Sequence, residues 1–160
     1  MSFMKNWYLI KTKSRQEHVA IKNLENQDYS TYCPTVTIKN KHVVLFPGYL
    51  FIYLDKENEN WLPIRSTKGV LNFVRFGLNF AQVPDDIIEY IRVNQANSEE
   101  KLKKLNKFKE GDKVQITDGV FKNCVAIFKS SKPQERVVVL MNIIGQQQSV
   151  TIKQESVIGL

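Results

Sequence analysis

The segment "GDKVQITDGVFKNCVAIFKSS", residues 111–131, obeys two periodicities at once, and one fold can realise only one of them. Val114 and Ile116 alternate with Gln115 and Thr117 ahead of a turn at Asp118-Gly119, the pattern of half-buried strands in a hairpin. Phe121, Cys124, Val125 and Phe128 fall at i, i+3, i+4 and i+7, which is one face of a helix. A companion set, Val137, Leu140, Met141 and Ile144, repeats that spacing, and "SSKPQE" between them could join two antiparallel helices. Against the helix stand Val137, Val138 and Val139, because β-branched residues are indifferent helix formers. Both readings stay open at this level.

Upstream the text is less divided. "WYLIKTK" (7–13) predicts a strand with Trp7, Leu9 and Lys11 on one face and Tyr8 and Ile10 on the other. Ser14, three residues before Glu17, reads as a capping box opening a helix over "RQEHVAIKNLENQ", with Ala20, Ile21 and Leu24 as its apolar stripe. "YCPTVTI" and "VVLFPGYLFIYL" read as strands, the second broken at Pro47-Gly48, with a polar turn from Lys39 to His42 between them. "KGVLNFVRFG" is a further strand, and Pro84 with two acids opens a helix at "VPDDIIEYIRV". The charged, aromatic-poor residues 96–109 form a linker. The organisation expected is an α+β N-terminal domain over 1–95, antiparallel sheet with flanking helices, the linker 96–109, and a small C-terminal segment over 110–160. At face value "KVQITD", "CVAIF", "RVVVLMNII" and "SVTI" are strands of a small β-barrel; the competing form is a docked helical hairpin.

Lys and Arg number 23 against 16 Asp and Glu, a surplus that suits approach to a polyanion. Residues 1–50 hold much of it, seven basic side chains against three acids. No signal-peptide layout and no apolar run of membrane-span length is visible, so the cytoplasm is the expected location, without a membrane partner. Cys33, Cys124, His18 and His42 complete no metal spacing, and no nucleophile, paired carboxylate site or phosphate loop can be assembled. A binding protein acting as a monomer is expected, with no catalytic residue, metal or cofactor.

The order "WYLIKTK", "LFPGYLFIYL", "IRSTKGV", "FVRFG", "FKEGDKVQITDGVFKN" resembles the NusG family of transcription elongation factors over nearly the whole chain. "FVRFG", "VAIF" and "LMNII" are similar to the specialised RfaH-like branch of that family, and Ala126 stands where general members usually carry glycine. Alanine gains about 1 kcal/mol over glycine in a helix, which favours the second form of the C-terminal segment. The resemblance implies a KOW-type C-terminal segment that exchanges between a helical hairpin masking the N-terminal domain and a barrel after release. It implies an operon-specific antitermination factor that suppresses pausing. The alternatives are a general elongation factor with a permanent barrel, and an RNA- or ribosome-binding KOW protein.

Three surfaces follow from the resemblance. Tyr49, Phe51, Phe76, Ile88 and Ile91 would line an apolar pocket for the clamp helices of the RNA polymerase β′ subunit, with Tyr53 beside them; burial in an ordinary core is the alternative for Phe51 and Ile88. Phe121, Cys124, Val125, Phe128, Leu140, Met141 and Ile144 would be the interdomain residues covering that pocket. Lys11, Lys13, Arg15, Gln16, Asn23, Thr67, Lys68 and Arg75 would face the non-template single-stranded DNA, lysines holding phosphates and Gln, Asn and Arg reading base edges. Ser14 and Val19 stand where that branch tends to carry arginines, a departure that bears on either the DNA element recognised or the affinity for it. A contact with the β-subunit gate loop falls near Asn60, Trp61, Leu62 and Pro63, and the released barrel would offer a strand edge to ribosomal protein S10.

Overall fold

A computed structural model describes residues 5–95, 122–129 and 132–158. The described chain divides into two compact units: one runs to Cys33 and adds Pro47–Pro84 and the residues from Ile144 on; the other combines Pro34–Phe46 with the described part of Asp85–Ile143.

The first unit is built on β1 (Asn6–Thr12), whose residues alternate between two apolar layers. β1 pairs antiparallel with β5 (Tyr49–Leu54) from Asn6↔Leu54 to Lys11↔Tyr49, and β5 pairs with β2 (Ser30–Tyr32). On its other side β1 pairs with β6 (Val70–Phe73), across a register shift between Lys11 and Thr12, and with β9 (Gln82–Val83). Tyr8 and Ile10 with Leu50, Ile52 and Leu54 face one layer, closed by Ala20 and Leu24 of α1 (Glu17–Glu25), Ile64 of α2 (Leu62–Arg65), and Phe73 and Phe80. Trp7, Leu9 and Phe51 are buried on the opposite layer, where Trp7 meets Tyr53 at 4.8 Å between ring centroids and Tyr32 stacks on Phe51. The faces assigned to β1 are therefore those of the fold.

Several boundaries differ from the sequence reading. Helix α1 begins at Glu17, Gln16 is its N-cap, and no side chain caps it. Arg15 takes φ 58°, so the chain turns left-handed between Ser14 and the helix, and Ser14 stands too far out to serve as the cap. "YCPTVTI" splits at Cys33-Pro34 into β2 and β3 (Thr35–Ile38), and "KGVLNFVRFG" splits into β6 and β7 (Arg75–Phe76), which forms a small hairpin with β8 (Asn79–Phe80). The turn between β3 and β4 (Lys41–Val44) is only Lys39-Asn40, and His42 belongs to the strand.

In the second unit β3 and β4 form a separate two-stranded sheet. Helix α3 (Asp85–Gln95) carries Asp85 and Asp86 in its first turn and buries Ile87, Ile88 and Ile91. Residues 122–129 form α4 (Lys122–Lys129), and α5 (Pro133–Ile158) follows with Pro133 at its start. "CVAIF", "RVVVLMNII" and "SVTI" are therefore helical, and the barrel reading fails for them in this structure. The valines are carried by packing: Leu140, Ile143 and Ile144 are buried, and tertiary burial outweighs weak intrinsic propensity. "KVQITD", Phe121 and residues 96–121 as a whole lie outside the described residues, as do Ser130 and Ser131. Among the described residues no helix is long and apolar enough to cross a membrane.

Candidate functional site

The basic corner is assembled where β1 hands over to α1. Lys11, Lys13 and Arg15 are exposed and Gln16 is half-buried. The Lys13 backbone N–H donates to Gly69 O at 2.8 Å, and the Gln16 N–H to Lys13 O at 3.0 Å, which stitches the turn to the loop carrying Lys68. Gly69 has φ 92°, and a Cβ there would stand 2.7 Å from the Ala20 nitrogen, so only glycine lets this loop lie against α1. Lys68 is thus brought beside the turn, and Lys11 faces Asn72 across the β1–β6 ladder.

Thr67 sits inside this arrangement, 6% exposed. Its hydroxyl donates to Pro63 O at 2.8 Å and accepts from Gln27 Nε2 at 2.9 Å. The same Gln27 amide donates to the Asn23 carbonyl at 2.9 Å, and the Asn23 amide donates to Val19 O at 2.8 Å. Gln27 therefore ties two of the expected DNA-facing residues together, a role its sequence position did not signal. Arg75 is exposed on β7, its guanidinium 4.9 Å from the centre of the Phe80 ring, which stacks on Phe73 at 4.1 Å. Among the described residues, Lys11, Lys13, Arg15 and Lys68 form no salt bridge, so their charge is directed to solvent. Glu17, buried in the same corner, helps Cys33 stay protonated: burial first, then the Glu17 charge, pushes that thiol up to about 11.

The apolar residues divide by unit. Tyr49 and Tyr53 are half-buried and Phe51 is fully buried on β5, while the Phe76 ring lies along Gly145, where a Cβ would stand 3.6 Å from it. In the second unit Ile88 and Ile91 are buried on α3, and α4 packs against that helix with the Phe128 ring 6.3 Å from Tyr90. Of the residues expected to cover the pocket, Leu140 and Ile144 are fully buried, Val125, Phe128 and Met141 are half-buried, and Cys124 is on α4 with its side chain outside the described residues. Phe121 lies outside them altogether.

Three further buried residues were not foreseen: Ile127, Arg136 and Ile143. Arg136 is 2% exposed, its Nε donates to Leu45 O at 2.8 Å, and burial lowers its pKa. It lines a cavity of about 170 Å³ with Val36, Ile38, Leu45, Ile127 and Phe128. The buried stripe of α5 thus runs through 136, 140, 143 and 144, one position round from the set read off the sequence. At the proposed gate-loop segment, Trp61 packs edge-on against Phe73 and Phe80, Asn60 O accepts from the Tyr29 hydroxyl, and Leu62 is 61% exposed.

Residues 5–92 match the family described as transcription termination factor nusG. The chain is similar to the transcription termination/antitermination protein NusG of Thermus thermophilus, 30% identical with 91% of this chain and 94% of that protein covered. It is similar to the NusG of Chlamydia trachomatis at 24% identity, covering 92% of this chain and 90% of that one. Among solved structures it resembles Thermotoga maritima NusG, from a study of that protein's domain interaction, at 26% identity and TM-score 0.47; the likeness spans 55% of each chain. The Thermus thermophilus and Chlamydia trachomatis relatives carry the name NusG. The family model covers more than half of the sequence, and the chain is a member of the NusG family of transcription termination/antitermination factors, which are not enzymes.

Proposed function

We propose that this factor works by stoichiometric binding to RNA polymerase and to the displaced DNA strand, and that its C-terminal helices restrain it until it is recruited. The clamp helices of the β′ subunit would bind through Tyr49, Phe51, Phe76, Ile88 and Ile91, and the β gate loop would meet the Trp61 segment. The basic corner, Lys11, Lys13, Arg15, Gln16 and Lys68, would hold the non-template strand, with Asn23 and Thr67 keeping it in shape and Arg75 added from β7. Residues 1–95 and 110–160 would act as separate domains across the linker 96–109.

The observation that carries the restraint is the helical state of 122–129 and 133–158, with α4 on α3. Ile127, Leu140, Ile143 and Ile144 are buried, at about 1.5–3 kcal/mol each relative to exposure, so release needs a compensating form of the same segment. A KOW barrel with a strand edge for ribosomal protein S10 supplies one, provided that the two packings differ by only a few kcal/mol.

A second reading is a general NusG-type factor, recruited without a DNA element. The names of the relatives favour it over operon specificity, as does their match across some nine-tenths of this chain. Far-UV circular dichroism of the whole chain against the fragment 101–160 separates the two. Helical signal present in the intact protein and absent from the fragment supports restraint; additive β-type spectra remove it. Recruitment itself is tested by Tyr49→Ala, a half-buried position, which should weaken binding to polymerase while the protein stays folded.

A further inference from the structure

We propose that the cavity beside Arg136 is a binding site for a short-chain aliphatic carboxylate of four or five carbons, whose occupancy holds α4 and α5 in their helical form. It rests on the restraint proposed above, since those helices supply two of its walls.

The walls come from three elements of one unit: Val36 and Ile38 from β3, Ile127 and Phe128 from α4, and Arg136 from α5, with Leu45 after β4. Ile127 is fully buried and Phe128 half-buried, and neither side chain can hydrogen-bond, so this part of the cavity suits a hydrocarbon tail. Two lining residues, Thr37 and Ile38, are exposed, Ile38 by 41%, and the cavity is entered from that side of β3.

The head group is set by Arg136. Its guanidinium stays charged at any physiological pH, yet it is only 2% exposed. Nε donates to Leu45 O at 2.8 Å, and because that carbonyl is neutral the bond orients the fork without cancelling its charge. A carboxylate is planar, presents two oxygens to such a fork, and gains more from the pair inside a low-dielectric wall than it would in water. A phosphate fits less well, because its remaining oxygens would turn towards Ile127 and Phe128, which have no donor to offer.

Volume sets the length of the tail. An apolar cavity of about 150 Å³ admits benzene, with its six carbons, so about 170 Å³ accepts about six or seven non-hydrogen atoms, the size of butanoate or pentanoate. A ligand this small reaches a Kd of about 1 mM. It would touch β3, α4 and α5 together and so bind the helical form alone, and at ten times its Kd it would favour that form about elevenfold.

The test follows thermal unfolding of the full chain by circular dichroism at 222 nm, in 10 mM sodium pentanoate against 10 mM sodium chloride. Pentanoate should raise the melting temperature by about 3–6 °C. Acetate, which has the charge without the tail, and pentan-1-ol, which has the tail without the charge, should each move it by less than about 1 °C. Arg136→Met, which keeps the length and removes the charge, should abolish the pentanoate shift; Ile38→Trp narrows the entrance from an exposed position and should do the same if loss of the arginine prevents folding. In methyl-labelled protein, pentanoate should shift the signals of Ile38 and Ile127 before those of the five-stranded sheet. Equal melts in pentanoate and chloride, an equal shift from acetate or from pentan-1-ol, or a pentanoate shift that survives in a folded variant would overturn the site while leaving the restraint intact. A ligand-free chain whose residues 122–158 give no helical signal would overturn the restraint first, and the site with it.

Discussion

Replacing Gly69 by alanine separates two costs that are usually confounded. At φ 92° any Cβ meets backbone strain of about 1–2 kcal/mol. The new methyl would also stand 2.7 Å from the Ala20 nitrogen and 3.0 Å from its Cα, and those atoms belong to a helix that cannot yield as a side-chain end would. Overpacking of that kind costs about 1–3 kcal/mol, and the lower entropy of the unfolded alanine chain returns up to about 1 kcal/mol. Gly69→Ala should therefore destabilise the protein by about 2–4 kcal/mol. Gly77→Ala is the matched control, with φ 64° and nothing within 4 Å of the added Cβ, and should cost only about 1 kcal/mol. Urea unfolding, followed by tryptophan fluorescence from Trp7 and Trp61, measures both. Equal losses at the two positions, or a loss at Gly69 under about 0.5 kcal/mol, would refute the close approach of this loop to α1. With it would go the reason why Lys68 lies beside Lys13.

Arg136→Ala leaves the Leu45 carbonyl without its donor and enlarges the cavity beside it, so helicity at 222 nm should melt at lower temperature, by about 2–4 kcal/mol of stability; an unchanged melt refutes the anchor. Phe80→Ala removes a ring stacked on Phe73 and met edge-on by Tyr8 and Trp61, and should cost about 3–5 kcal/mol in urea unfolding. In a Cys124→Ser background Cys33, pushed from 9.0 up to about 11, should react with iodoacetamide at pH 8 about 100-fold more slowly than an ordinary cysteine. The sign for stability follows from the same shift. The folded state keeps its thiol proton to higher pH than the unfolded state does, so this contribution is complete below about pH 9 and is lost as pH rises towards 11. A melting temperature that rises over that window in wild type relative to Cys33→Ala would contradict it.

The strands and helices of the N-terminal half were legible because alternation and a three-to-four spacing are local properties of the text. Ser14 misled because the letters of a capping box say nothing of an intervening left-handed residue, here Arg15. The C-terminal segment could not be decided locally: Val137 to Val139 argue for strand, and the packing that overrules them comes from elsewhere in the chain. The same cause rotated the buried stripe of α5. A buried arginine is not expected from a hydrophobic pattern, and Arg136 is tolerated inside because a backbone oxygen 91 residues earlier receives it. In the basic corner the charged residues could be read directly, while Gly69 and Gln27, which hold them, could not: one acts through a missing side chain, the other through two hydrogen bonds that exist only after folding.

That separation between Leu45 and Arg136 also sets a clock on the ribosome. At about 5–20 residues per second, roughly 5 to 20 s pass between synthesis of the two partners. Throughout that interval the nascent β3–β4 ribbon must wait with Val36 and Leu45 uncovered, while the five-stranded sheet gains its last strand, β9, by residue 83, well before Arg136 is made. A newborn molecule is thus at its stickiest along this ribbon, and chaperone capture of stalled chains should map there.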